Sequence, residues 1–301
     1  MKRRIFPMVC CGLGMLMLIL DSRQASQSAQ EALILCIRTV IPSLFPFFLL
    51  SACMVGFGSG NIPLTGLLGG YPVGAQALGT SKIDRAEANR MLSWCSQAGP
   101  SFIFGIASAQ FPSIGYGWYL WGIQILSALS VGWAFTGIYE TKLVRSNTSV
   151  TISKAMHTAL GAMATVCGWV VLFRVVLGFL QRWIFFFLPE TVTILLSGLL
   201  ELTNGCLMLQ NVENLHIRFL LCLIFLNFGG ICVVLQTVSV AGRLDIRYYL
   251  AGKVLQTGLA VLLGCLFLGY AIMLIPLGAV FAGIHIWKSR KNSSNPLPIG
   301  V

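Results

Sequence analysis

"LLGGYPVGAQALGT", residues 67–80, decides how this chain is read. The stretch is apolar enough for a membrane interior, but Gly69, Gly70, Pro72 and Gly74 interrupt it. Proline removes a backbone donor, and glycine loosens the backbone from helical restraint. A helical crossing needs about twenty apolar residues. The apolar run 62–80 is too short and too broken for one. Backbone broken at membrane depth persists only where protein buries it or a wet cavity solvates it. The expectation is a hairpin that enters and leaves the membrane on one side.

The rest of the chain puts that hairpin in a membrane. Of its 301 residues, 56% are hydrophobic and 10% are charged, and long apolar runs recur throughout. That is the pattern of a polytopic membrane protein. Spanning segments are expected at 5–20, 33–57, 91–110, 117–139, 156–180, 217–239, 250–268 and 271–287. The runs 62–80 and 184–211 are left over. The net charge of +11 reads as loop Lys and Arg obeying the positive-inside rule, so no nucleic-acid partner is expected. The ten cysteines are scattered without a CxxC or a Cys/His cluster and read as small buried hydrophobes. The basic, then apolar N-terminus reads as an uncleaved first helix.

Charge placement tests the leftover runs. If both are re-entrant and the N-terminus is cytoplasmic, the cytoplasmic side holds Lys2, Arg3 and Arg4, then Lys82, Arg85 and Arg90. It also holds Lys142, Arg145 and Lys154, then Arg243, Arg247 and Lys253, and the tail Lys288, Arg290 and Lys291. That places fifteen of the 20 basic residues inside. If one run crossed, the basic tail would face out. If both crossed, the 142–154 loop would face out, against the rule. Both termini are therefore expected to be cytoplasmic.

An internal repeat agrees with this topology. "SQAGPSFIFG" (96–105) aligns with "LNFGGICVVLQ" (226–236), matching Gly99 to Gly229 and Gln97 to Asn227. "YLWG" (119–122) aligns with "YLAG" (249–252), and Gly74 with Gly205. Each copy would hold a helix, a hairpin and two helices, so the second copy is inverted. Inverted repeats with broken helices meeting near mid-membrane are a transporter architecture. The fold class expected is thus an all-α polytopic membrane protein with about eight transmembrane helices and two re-entrant hairpins in two inverted repeats. The division is an N-terminal helix and loop (1–32), a first repeat (33–140), a cytoplasmic linker (141–155), a second repeat (156–270), and a C-terminal helix with a basic tail (271–301).

The substrate-binding residues expected follow from the breaks. Hairpin one offers Gly69, Gly70, Tyr71, Pro72 and Gly74, whose freed amides would face an anionic or polar solute; the competing reading is close helix packing. Hairpin two offers Glu201, Thr203, Asn204 and Gly205. A carboxylate in such apolar surroundings is costly, so Glu201 serves either proton or cation coupling or a hydrogen bond to a nearby backbone break. The segments after the hairpins offer Ser96, Gln97, Gly99 and Ser101, and then Asn227, Gly229 and Gln236. Arg174, about eighteen residues into its segment, either snorkels to the interface or lines the cavity and pairs with Glu201 or an anion. Asp84 and Glu87 are spaced as a capping box. No nucleophile elbow, phosphate loop or hydrolase acid pair is present, so neither an enzyme nor a catalytic, metal or cofactor site is expected.

"PSLFPFFLLS" (42–51), "GGYPVGAQAL" (69–78), "SWCSQAGPSFIFG" (93–105), "GLLELTNG" (198–205) and "VVLQTVSV" (233–240) together resemble the YlbJ/SpoVV-type sporulation integral membrane proteins. These belong to the nucleoside-recognition or "gate" domain group, similar to concentrative nucleoside transporters. The resemblance covers roughly residues 33–270. It implies a bacterial sporulation protein that moves dipicolinic acid, a small aromatic dicarboxylate, across the outer forespore membrane. The partners expected are a small anionic solute, the lipid bilayer, a coupling proton or cation, and a second copy of the chain. The alternative is a non-transporting membrane protein that organises others in spore-envelope assembly.

Overall fold

The computed structural model describes residues 2–56, 62–81, 83–135 and 151–294. Lys82, Lys142 and Arg145, and most of the expected 141–155 linker, lie outside them. Every regular element among the described residues is helical. Among the described residues, five helical stretches are long and apolar enough to cross a membrane: Ser22–Met54, Ile152–Trp183, Leu215–Val240, Ile246–Phe267 and Ala271–Lys288.

After α1 (Lys2–Leu20), α2 (Ser22–Leu35), a π-helical turn (Cys36–Val40) and α3 (Ile41–Gly56) follow without a break. The sequence placed this span at 33–57, but it begins eleven residues earlier. Asp21 caps it by accepting from the Gln24 amide. The polar run 22–31 stays helical because its small residues Ala25 and Ser28 are buried, as is Ala32 just beyond it. The helix packs on α9 (Ile152–Trp183), where Gly178 makes room for Ser28 and Gln24.

The opening stretch folds as a helical hairpin. α4 (Ile62–Gly69) and α5 (Val73–Thr80) have 8 residues each. Each leg is about 12 Å long, well short of a 30 Å hydrocarbon core. Gly70 has φ of +81° and Tyr71–Pro72 is a cis peptide. The legs lie against each other through glycine: a Cβ on Gly74 would sit 2.9 Å from the Gly66 Cα. The second hairpin is built the same way. α10 (Glu190–Leu200) and α11 (Leu202–Met208) turn at Glu201, and Gly198 and Gly205 meet backbone to backbone.

A broken helix follows each hairpin. α6 (Arg85–Cys95) starts on the Asp84 cap, whose carboxylate accepts from the Ala86 and Glu87 amides. It ends in an extended segment at 96–99 and resumes as α7 (Pro100–Phe102) with further turns to Gln110. The expected span 91–110 is therefore two pieces. In the second half, α12 (Leu215–Phe228) and α13 (Gly230–Val240) are divided at Gly229, which has φ of +83°. A straight helix closes each half: α8 (Gly115–Phe135), packed on α6, and α14 (Ile246–Phe267), packed on α12. The order hairpin, broken helix, straight helix thus occurs twice.

The halves interlock. α9 covers α2 and α3, and α14 packs between α6, α8 and α12. α5 lies against α13, and α11 against the 103–107 turn. Gly252 of α14 touches the Ser93 backbone of α6. The last described helix is α15 (Leu274–Ser294); with the turn before it, it forms the apolar stretch Ala271–Lys288, none of which is buried.

Candidate functional site

The two hairpin tips and the first helix break meet around one cavity with about 450 Å³ of empty space out to its mouth. Tip one supplies Gly70 and Tyr71, and tip two supplies Glu201, Leu202 and Thr203. The break after α6 supplies Ala98 and Gly99, and α13 supplies Val233 and Gln236. Val40, Leu44, Phe102, Val166 and Val170 make the remaining wall apolar. An apolar pocket with a few convergent polar groups is the usual form of a small-ligand site.

Local backbone chemistry explains how these residues converge. The Gly70 and Gly99 backbones lie so close that a Cβ on Gly99 would be 3.1 Å from the Gly70 Cα. Tip one is thereby seated on the first break. Tyr71 then reaches across to the other half. Its ring lies over Gly229, where a Cβ would be 3.2 Å from the ring. Its hydroxyl donates to the Leu226 carbonyl at 3.2 Å.

Glu201 lines the cavity and is also the N-cap of α11. Its carboxylate accepts from the Thr203 amide at 2.9 Å, the Asn204 amide at 2.6 Å and Asn204 Nδ2 at 2.7 Å. Amide donors at a helix start stabilise a negative charge. Of the two readings open for Glu201, the hydrogen bond to a backbone break is the one seen. Asn204 serves that cap, and Gly205 serves the hairpin packing against Gly198.

Behind the wall runs a buried polar network that the sequence reading did not assemble. Gln97 and Gln256 form a reciprocal amide pair, with Gln97 Nε2 donating to Gln256 Oε1 at 2.8 Å and the reverse bond at 2.7 Å. Gln256 Nε2 also donates to Asn227 Oδ1 at 2.8 Å, as does the Ser127 hydroxyl at 3.2 Å. Lys253, wholly buried, donates to Gln97 Oε1 at 3.0 Å and Gln256 Oε1 at 3.3 Å. Its ammonium sits 4.9 Å from the Tyr71 ring centre and 5.6 Å from that of Tyr249.

Two expectations need correcting. Lys253 was counted with the cytoplasmic loop cations. Instead α14 starts at Ile246, so Lys253 is two turns inside the helix and faces the core. Arg174 does not meet Glu201 and is not on the cavity wall. It pairs with Glu31 of α2 at 2.7 Å, with 25% of its side chain exposed. Among the other expected residues, Gly70, Tyr71, Gly99, Thr203 and Gln236 line the cavity, while Gln97 and Asn227 stand behind it. Gly69 packs toward Ser51, Gly74 against Gly66, and Gly229 under Tyr71. Pro72 begins α5. The Ser96 and Ser101 hydroxyls are buried and make no hydrogen bond to described residues. Lys253, Gln256 and Gln124, which donates to the Ala98 carbonyl at 2.8 Å, were missed. The signal for the first two was their place on the face of α14 that also holds Tyr249, Gly252 and Ala260.

These features define an all-helical integral membrane protein with a cavity between two helical hairpins. In sequence it is similar to the sporulation integral membrane protein YlbJ of Bacillus subtilis strain 168, at 26% identity over 76% of this chain and 74% of that protein. The similarity supports a YlbJ-type sporulation membrane protein. No family model and no solved structure matches the chain.

Proposed function

We propose that the protein is a transporter that carries a small anionic solute across a sporulation membrane through the cavity between its hairpin tips. The carrying observation is that three breaks in an otherwise helical, apolar chain, at Gly70–Tyr71, Ala98–Gly99 and Glu201, converge on that cavity. Such breaks at membrane depth are tolerated where they line a wet cavity, and they present backbone groups to a solute. In this reading the hairpins are re-entrant, the two halves are inverted repeats, about eight helices cross, and both termini are cytoplasmic. Dipicolinate is the solute proposed, at the outer forespore membrane. The α11 amides offset part of the Glu201 charge, which weakens its repulsion of an anion. A proton or cation coupled to transport would act there.

The test is uptake of dipicolinate by liposomes carrying the purified chain and enclosing terbium, whose luminescence reports the arriving dicarboxylate. Uptake no faster than in empty liposomes sinks the proposal. The alternative, an organiser of envelope assembly without transport, draws on the outward apolar residues at the start of α15 and the turn before it, where Ile272, Leu274 and Ile275 are exposed. An organiser would keep its partners after Gly74→Leu, and a transporter would lose uptake.

A further inference from the structure

Lys253 is the one wholly buried cation among the described residues, and it has no acidic partner. The ion pairs seen are Arg174–Glu31 and Arg182–Asp21. Removing an ammonium from water without an opposite charge is expensive, and neutral amide oxygens return only part of that cost. A structural role would be met more cheaply by a third amide, which bonds the same oxygens without a charge. The position of Lys253 suggests what the charge is for. Its ammonium touches the Tyr71 ring, which lines the cavity, and Gln97, which adjoins the lining residues Ala98 and Gly99. Tyr71 stands on the tip of a short-legged hairpin, next to Gly70 in the left-handed region. Its hydroxyl donates to the Leu226 carbonyl. Tyr71 thus both lines the cavity and lies against the ammonium.

We propose that Lys253 is the specificity-determining cation of the solute site, with Tyr71 as its movable cover. This rests on the transport reading above. When tip one shifts and the ring swings off α14, the ammonium gains the cavity as a neighbour. A carboxylate of the solute then takes the place that the ring and the two amide oxygens hold in this structure. The ligand class is a small planar carboxylate. Its ring suits the apolar wall of Val166, Val170 and Val233, and its charge suits Lys253. With the tip closed, the ammonium stays engaged with Gln97 and Gln256, so an empty site is held shut by the same residue that recognises cargo.

The experiment uses the full chain in liposomes, with isotopically labelled dipicolinate and, in parallel, picolinate, which has one carboxylate. Wild type is compared with Lys253→Gln and Lys253→Arg, and each variant's melting temperature is measured in detergent. The expected result is that Lys253→Gln folds at least as stably as wild type, while its KM for dipicolinate rises ~10-fold or more, as for loss of a charged hydrogen bond. Its preference for two carboxylates over one should fall with it, and Lys253→Arg should recover most of both. A folded Lys253→Gln protein with the wild-type KM and preference overturns the assignment and leaves transport standing. A large fall in melting temperature in Lys253→Gln, matched by an equal loss for both solutes, also overturns it, because that is a purely structural lysine. If wild type takes up neither carboxylate, the transport reading fails and this assignment fails with it.

Discussion

Removing the Glu201 carboxylate distinguishes a cap from a coupling acid. In Glu201→Ala, three N–H donors at 2.6–2.9 Å lose their acceptor. A buried donor left unpaired costs about 1–3 kcal/mol, and N-cap deletions cost about 0.5–2 kcal/mol. The cavity lets water replace part of the loss, so the net is set at about 2–4 kcal/mol. Glu201→Gln keeps one acceptor oxygen but turns an NH₂ toward a donor and loses the charge–dipole term, for a cost of about 1–2 kcal/mol. At about 2–4 °C per kcal/mol for a chain of this order of size, Glu201→Ala should melt roughly 5 °C or more below wild type, with Glu201→Gln between them. The assay is thermal unfolding of the detergent-purified chain followed by tryptophan emission, beside dipicolinate uptake. A Glu201→Ala protein that melts with wild type refutes the cap. If it also loses all uptake, the carboxyl serves proton or cation coupling instead.

Other changes test the packing. Gly252→Ala drives a methyl into the Ser93 backbone, which cannot rotate away, and should cost about 3 kcal/mol in the same melt. Gly205→Ala meets the Gly198 backbone and should splay hairpin two, which limited proteolysis near Glu190 would report as faster cutting. Arg243 donates to the Ser81 and Ile83 carbonyls and Arg218 to the Val212 and Gln110 carbonyls; replacing either with Ala should lower the melting temperature by several degrees. Arg174→Gln removes a half-exposed pair worth at most about 1 kcal/mol and should leave uptake at the wild-type rate.

Interruptions of helix are local, so the sequence disclosed them. Gly70, Pro72, Gly99 and Gly229 mark their own backbone, and the matched spacing of Gly74 and Gly205 pointed to two glycines that the structure places at equivalent hairpin contacts. Partnership is not local. Arg174 and Glu31 are 143 residues apart, and nothing in either neighbourhood names the other. Lys253 was misplaced because a cation near the end of an apolar run looks like a flanking charge. Only the true helix start at Ile246 and the face it shares with Tyr249 turn it inward. The polar character of 22–31 hid a helix that small residues and a partner helix stabilise, which hydropathy alone does not register.

The amide pair has a consequence for biosynthesis. Gln97 and Gln256 are 159 residues apart, so α6 leaves the ribosome long before its partner exists. Through that interval the Gln97 and Asn227 side chains and the Ser127 hydroxyl lack the helix that carries Lys253 and Gln256. The nascent chain must wait beside the insertion machinery, or in a chaperone's hold, with polar groups that lipid does not satisfy. Quality control would therefore read the arrival of α14 as the completion signal, and chains truncated before Ile246 should be cleared even though most of their apolar helices are already made.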